Sequence, residues 1–585
     1  MRTSMRTWWS VAAVAGLGWA MAPAPASACG GFFCQREPMN QAGENILFSV
    51  EGDGTLTAHV QILYSGAADA FAWILPLPSV PTSIGVGTDA LFEQLGVRTA
   101  PRFESQSRIE GTCRAEPSCP YGPEYDSSPG PVAGGGSADA GVASPPPDVT
   151  VYLREAVGPY DAVVLGAASA ADLFTWLDTN GYDIPDVSRP IVAEYVAARH
   201  VFVAIRLLTG VDTQEIQPLV LRYAEAQPCV PMRLTAIATI DDMPITAYFA
   251  GASYATSNNY SMLEPSYDET RLWGEGGSYG GGYYGGPGPG APPGGPGGGF
   301  YGGPSAYYST YVSNLVDDAG GRAFVTEFAG AMPAVDSLTL PDVTDLASVT
   351  DPGTFLRSIR ERGFSGDAQL LGILTRFLPV PAGSAYEGSP SGYMNCLWGS
   401  GSGGAECGYT GGFDPAALVD ALQRQIVGPR REAQDVLERH PRLTRLYTTM
   451  SAADMTVDPT FTLDTGLPEV SNVHTATVVT ECSASYFEWS APQHIELPSG
   501  RSAPWRDGVT YLGSDEEYCM DRGAGTFSPW ASADTLRETS SSRSVRPTGG
   551  GLRCAVGPAT RSTGLVGMIA LGASLAMAFV RRRRR

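Results

Sequence analysis

The sequence predicts an α+β fold: a first half rich in antiparallel β-sheet with helical additions, a helix-rich second half, and a C-terminal transmembrane helix. Three observations carry this. Apolar residues alternate with polar ones at period two in the segments before residue 250. Apolar spacing at i, i+3, i+4 dominates residues 310–440. A Gly/Pro/Tyr-rich stretch separates the two regimes, and a charge-free run precedes the last five residues.

In chain order, Arg2 and Arg6 precede an apolar run at residues 8–21, and a Pro/Ala stretch ends in Ala26-Ser27-Ala28. This is a secretory signal over residues 1–28 with an A-x-A cut before Cys29. Cys29 at the first mature position keeps lipoprotein processing open as a rival. Two glycines follow it, so a Cys29–Cys34 bridge can close a tight turn.

Residues 29–272 form the β-rich half. Strands are expected at 45–50, 55–64 and 70–77; in the second, Leu56, Ala58, Val60, Ile62 and Tyr64 share one face. Gly52-Asp53-Gly54 is the hairpin turn. His59 falls on the polar face and is expected to be solvated. A short helix is expected at 88–96. Residues 102–147 are polar and Pro/Ser/Gly-rich and are expected to be a surface loop, stapled locally by Cys113 and Cys119. Further strands follow at 149–166, 201–208, 220–224, 232–240 and 245–250, with helices at 169–180 and 188–200, the latter carrying Pro190 in its first turn.

Residues 273–307 are a low-complexity insertion that cannot bury enough apolar surface to fold by itself. The helix-rich half, residues 308–534, places helices at 311–330, 355–362, 368–377, 415–426 and 432–440, a short strand at 475–480, and irregular chain after 481. Cys396 and Cys407 bracket a Gly/Ser loop and are expected to pair; Cys482 and Cys519 are a further candidate bridge. Nine cysteines lie upstream of Cys554. Either Cys29 is lipidated and eight pair, or one thiol stays free, with Cys229, between Pro228 and Pro231, the candidate.

Residues 535–553 form a flexible linker and 554–585 a tail: Cys554, a run at 562–580 of 19 residues without charge, then five arginines. At ~1.5 Å per residue the run just spans a hydrocarbon core of about 30 Å. Its seven strong insertion residues contribute roughly −2 to −4 kcal/mol together. The arginines fix the orientation, staying cytoplasmic before any processing and leaving the ectodomain outside. The tail is either a plain single-pass anchor or a processed sorting signal in which Cys554 is lipidated. In the second form the tail resembles the MYXO-CTERM sorting tails of myxobacteria and implies a processing protease as partner.

Charge and composition exclude several functions. All 38 basic residues are arginine. Without the signal and the residues after Cys554, 30 arginines face 60 acids, a net charge of −30. Such a body repels nucleic acid and anionic lipid, so only the tail can hold it to a membrane. The missing lysine excludes a Walker A loop, a pyridoxal-phosphate Schiff base and a Ser-x-x-Lys centre. There is no Cys-x-x-Cys and no His-Glu-x-x-His. The one Gly-x-Ser-x-Gly, at Gly276–Gly280, sits in low complexity rather than between a strand and a helix. The acid pairs Asp241-Asp242, Asp317-Asp318 and Asp515-Glu516-Glu517 lack a calcium-loop spacing. The sequence therefore offers no catalytic, metal or cofactor-binding residue and implies no cofactor.

A family resemblance is carried by Ala28-Cys-Gly-Gly-Phe-Phe-Cys34, Tyr64-Ser-Gly66, Phe71-Ala-Trp-Ile-Leu-Pro-Leu-Pro78, Trp176-Leu-Asp-Thr-Asn-Gly-Tyr182 and Pro231-Met-Arg-Leu-Thr-Ala-Ile-Ala238. Leu443-Thr-Arg-Leu-Tyr-Thr-Thr-Met-Ser451 and Met455-Thr-Val-Asp-Pro459 extend it. Over residues 28–480 the chain resembles the bacterial family known as domain of unknown function 2330, whose membership implies a domain but no reaction. The expectation is an exported, membrane- or surface-anchored envelope protein with a binding or structural role and an unknown extracellular ligand. The alternative is an extracellular hydrolase, which would need a concave pocket joining a histidine, such as His200 or His474, to acids.

Overall fold

Strands form where the alternation runs longest, and their pairing partners set the architecture. The protein is described by a computed structural model covering residues 40–508, apart from 66–71, 116–148, 183–185, 209–215, 226, 274–305, 400–406, 408 and 410. The signal segment, residues 274–305 of the insertion, the linker, the tail, Cys29, Cys34, Cys119, Cys519 and Cys554 lie outside the described residues.

The chain opens with β1 (Asn40–Val50) and β2 (Thr55–Ser65), paired antiparallel through the expected turn, where Gly54 takes φ 81°. β3 (Ala72–Leu77), β4 (Ser83–Val86) and helix α1 (Asp89–Thr99) follow. Next come β5 (Arg102–Gly111), β6 (Val149–Val157) and β7 (Tyr160–Ala167). Helix α2 (Ala170–Thr179) starts at Ser169, whose hydroxyl accepts the Asp172 N–H. Helix α3 (Arg189–Ala197), β8 (Val201–Leu207), β9 (Leu219–Ala224), the single turn α4 (Met232–Thr235), β10 (Met243–Gly251), β11 (Tyr254–Ser257) and β12 (Ser261–Leu263) complete the first half.

The second half mixes helices α5 (Ala306–Asp318), α6 (Pro352–Glu361), α7 (Ala368–Phe377), α8 (Pro390–Gly399), α9 (Pro415–Leu422) and α10 (Gly428–Arg439) with β13 (Ala323–Ala331), which lies between α5 and α6. After α10 come five strands and a 3-10 turn at Glu488–Ser490: β14 (Arg442–Met450), β15 (Phe461–Asp464), β16 (Val473–Cys482), β17 (Gln493–Glu496) and β18 (Ser502–Arg506). Asp351, Asp367 and Asp414 cap α6, α7 and α9 through their carboxylates.

The fold is α+β, with a sheet-rich first half and several helices, but its sheets are not all antiparallel. The largest runs β12-β13-β14-β10-β1-β2-β9-β4, with β1 parallel to β10 and β12 parallel to β13. A four-stranded antiparallel sheet runs β3-β8-β7-β6, and a second four-stranded sheet β18-β17-β16-β5 has β5 parallel to β16. One face of the large sheet (Ile46, Phe48, Ala58, Val60) packs on β3, β7 and β8 (Leu75, Val164, Val203). Its other face (Leu47, Tyr248, Leu443) is covered by α1 and α10. The outer face of β3-β8-β7 is covered by α2, α3 and α4. The result is helices, sheet, sheet, helices. Residues 343–427 add a separate helical cluster.

Several local expectations are corrected by tertiary pairing. Residues 102–111, read as loop, form β5 because β16 supplies its hydrogen-bond partners from 370 residues downstream. Residues 232–240, read as strand, hold α4, whose first N–H groups are taken up near Pro231 and by Asp458. The supposed helix at 311–330 ends at Asp318, and the apolar remainder becomes β13 beside β14. The supposedly irregular chain after 481 contains β17 and β18. Cys113 bonds Cys482, with a Cα separation of 4.5 Å, so neither local Cys113/Cys119 nor Cys482/Cys519 pairing holds; β5 and β16 end side by side, with Gly111 in register with Cys482. Cys396 bonds Cys407. Among the described residues, no helix is long and apolar enough to cross a membrane.

The helical cluster docks on the sheets through one feature. Pro429 has no N–H for the carbonyl of Gln425 four residues earlier, and Gln423–Val427 widens into a π-turn. The freed Gln425 carbonyl accepts from the Gln369 side chain of α7 (2.8 Å) and from Gln217 (2.7 Å), which lies just before β9 and also donates to the Gly87 carbonyl.

Candidate functional site

Glu44, Ile46 and Phe48 alternate onto the inner face of β1, where period two directs them toward β3. With Ala58 and Val60 of β2, Leu221 and Tyr223 of β9, and Leu75 and Leu77 of β3, they line a cavity of about 170 Å³ between the two sheets. Its rim carries Tyr195 and His200, then Glu225, Gln227, Cys229 and Pro231, and Asp458 with Thr460. Pro78 and Gln227 are exposed and mark the opening, whereas Glu44 is only 3% exposed.

The rim is built by two local devices. Helix α3 ends with Arg199 at φ 64°, and the His200 N–H reaches back to the Tyr195 carbonyl (3.0 Å), the arrangement of a left-handed helix stop. That turn sets Tyr195 and His200 edge to face, centroids 5.3 Å apart. Residues 228–230 pair with 459–461, which places Cys229 opposite Thr460 and next to Asp458.

Burial governs the electrostatics. Desolvation raises the Glu44 carboxyl to about 7, against one lowering hydrogen bond from the Gln41 side chain (3.1 Å). It raises Asp458, although Asp458 accepts from the Tyr195 hydroxyl (2.6 Å) and the Arg233 N–H (3.0 Å). It pushes the Cys229 thiol up to about 12 and lowers His200, whose buried Nδ1 has no partner. Among the described residues, no arginine lines the cavity. The cavity therefore joins His200 to acids, as the hydrolase alternative requires, and Cys229 is the free thiol among the described residues.

The chemistry at the rim is subdued. A thiol held near 12 is protonated at neutral pH and is a weak nucleophile. Asp458 is occupied by Tyr195 and Arg233 rather than orienting His200. A second serine–histidine contact lies on the opposite face of the large sheet. Ser49 Oγ is 2.6 Å from His440 Nε2, with Glu51 3.6 Å from the same nitrogen. In a catalytic triad the acid holds the other ring nitrogen, and Ser49 is fully buried.

The remaining sequence candidates scatter. His59, expected to be solvated, is 1% exposed with neither ring nitrogen partnered, because α1 and α10 cover the face that alternation marks as polar. His474 packs in a three-ring cluster with Phe103 and Tyr267, meets no acid there among the described residues, and burial lowers it to about 4. Asp317 is raised by desolvation and by the nearby charges of Asp242, Asp454 and Asp318, which joins two of the acid pairs. Even so, the described residues contain no set of three ligands able to hold a metal. Gly276–Gly280 and Asp515-Glu516-Glu517 lie outside the described residues.

Glu44, Tyr195 and Asp458 were not singled out by sequence. A signal for Glu44 exists: a carboxylate in phase with Ile46 and Phe48 on an inward strand face. Asp458 sits in the Met455–Pro459 motif. Tyr195 carries no local mark.

The sequence matches a bacterial family described as "Uncharacterized protein conserved in bacteria (DUF2330)" over residues 23–370. No curated protein and no solved structure matches it. The matched region ends before β14, which lies between β10 and β13 in the large sheet, so the folded unit continues past it. The chain belongs to the DUF2330 family of uncharacterised bacterial proteins.

Proposed function

We propose that the chain is an exported envelope protein, held at a membrane or on the cell surface by its C-terminal tail, whose ectodomain binds a small ligand between its two main sheets. The cavity carries the binding part: its walls are apolar, its rim is polar, and it holds a buried carboxylate with one hydrogen-bond partner. Protein ligand sites share this plan of apolar walls with few polar groups. Export is supported by the signal-like start and by Cys113–Cys482, because such long-range disulfides persist in oxidising compartments. Intact-mass analysis of protein from fractionated cells tests export. The expected mass lacks residues 1–28 and is lower by about 2 Da per disulfide than the reduced form. Full-length, reduced protein in the cytosol would refute it.

A second reading, an extracellular hydrolase, is favoured by the meeting of His200, Cys229 and Asp458 at one opening. The protonated thiol and the Tyr195–Asp458 bond weigh against it. Hydrolysis of ester or peptide substrates that is lost in Cys229→Ala or His200→Ala would establish it instead.

A further inference from the structure

We propose that the cavity takes a small organic cation, a primary ammonium group on a compact hydrocarbon body, with Glu44 as its counter-charge. The inference deepens the binding role above and rests on it.

Three observations lead to it. First, Glu44 is buried on a strand face whose neighbours in phase are Ile46 and Phe48, and the Gln41 amide donates to one of its oxygens. An ionised carboxylate has about four acceptor positions, and leaving them unmet against hydrocarbon is costly. A donor entering the cavity would meet that need, and a cationic donor would meet it best.

Second, the charged carboxylates that line the cavity have no cation among them. Asp458 and Glu225 stand at the rim, His200 is held toward its neutral form by desolvation, and among the described residues no arginine lines the space, Arg233 standing outside the lining over the Tyr195 ring. In a chain whose basic residues are all arginine this leaves no built-in partner for an anion, and an anionic ligand would meet three carboxyl groups.

Third, size and walls limit the body. Cavities of about 150 Å³ lined by Leu, Ile and Phe accept benzene, and the 170 Å³ here is bounded by Ile46, Phe48, Leu75 and Leu221. A body of about six to eight carbons fits within it.

The test is calorimetry on the purified full chain with three probes of one shape, benzylammonium, benzyl alcohol and benzoate, at about pH 8, where Glu44 is ionised. Benzylammonium is expected to bind at least about tenfold more tightly than benzyl alcohol, as a charged hydrogen bond warrants, with benzoate weakest. Its binding is also expected to slow modification of Cys229, which places it in this cavity. Glu44→Gln should bring ammonium and alcohol to within about threefold of each other. If that variant fails to fold, the charge series on the unaltered chain decides. Preference for benzoate, or an ammonium preference that survives Glu44→Gln, overturns the proposal. Equal binding of alcohol and ammonium overturns the ligand class and leaves the binding role standing. Binding by none of the three overturns both.

Discussion

Breaking the Cys113–Cys482 bond in a Cys113→Ser/Cys482→Ser chain should destabilise the protein about as much as a severe core substitution. The bond closes a loop of 369 residues. Loop-closure entropy gives about 6 kcal/mol at 25 °C for that length, and native bonds whose removal has been measured contribute about 2–5 kcal/mol, so about 4 kcal/mol is expected. The Cys396–Cys407 bond shortens the loop by only 11 residues and leaves the figure unchanged. The loss should begin locally. β5 is an edge strand with mostly exposed side chains, held by the parallel register with β16 that ends where Gly111 faces Cys482. A Cβ on Gly111 would lie 2.3 Å from the Cys482 carbonyl oxygen, so the strand ends approach closely only because residue 111 is glycine. Urea unfolding of the two chains under non-reducing conditions gives the free energy, and native trypsin digestion gives cleavage at Arg102 and Arg108. The reasoning fails if the variant unfolds within about 1 kcal/mol of the unaltered chain and both arginines stay equally protected.

Other outcomes follow from buried polar groups. Arg445 and Glu327 form an ion pair at 2.5 Å with side chains 3% and 0% exposed, so Glu327→Ala should lower the unfolding free energy by about 3–5 kcal/mol, while Glu327→Leu with Arg445→Met should recover much of it in the same urea assay. Gln217→Leu should leave the Gln425 carbonyl with Gln369 as its side-chain donor and loosen the helical cluster; about 0.5–1.5 kcal/mol is expected, with faster amide exchange confined to residues 343–427. His59 is lowered from 6.5 to about 4 by burial, so its contribution is full above pH 6.5 and is lost as pH falls toward 4. His59→Leu should therefore flatten the drop in urea midpoint between about pH 7 and pH 4.5 by up to roughly 3 kcal/mol. Cys229 should react with iodoacetamide at least about a hundredfold more slowly in the native than in the unfolded chain at about pH 8, and native labelling at the unfolded rate would contradict its raised thiol.

Much of the fold was legible because its signals are local. The Gly52–Gly54 hairpin, the alternation of β2 and the apolar spacing of α7 each need only a few neighbouring residues. The site was legible in part. His200, Cys229 and the idea of a pocket joining histidine to acid came from composition and spacing, but their partners did not. Tyr195 and Asp458 are 263 residues apart, Ser49 and His440 391 apart, and no period connects such positions.

The sequence by itself determined the type of most elements, the Cys396–Cys407 pair and the family, and named Cys229 as the candidate free thiol, since propensity, spacing and motif are written along the chain. Tertiary structure decided which strands are neighbours, that both faces of β1 and β2 are covered so that His59 is buried, that Cys113 meets Cys482, and that Glu44 ends in a cavity with Asp458 at its rim. The physical reason is that a strand's alternation fixes which residues share a face, whereas the layer that buries the face is chosen only when segments hundreds of residues apart dock and exclude water together.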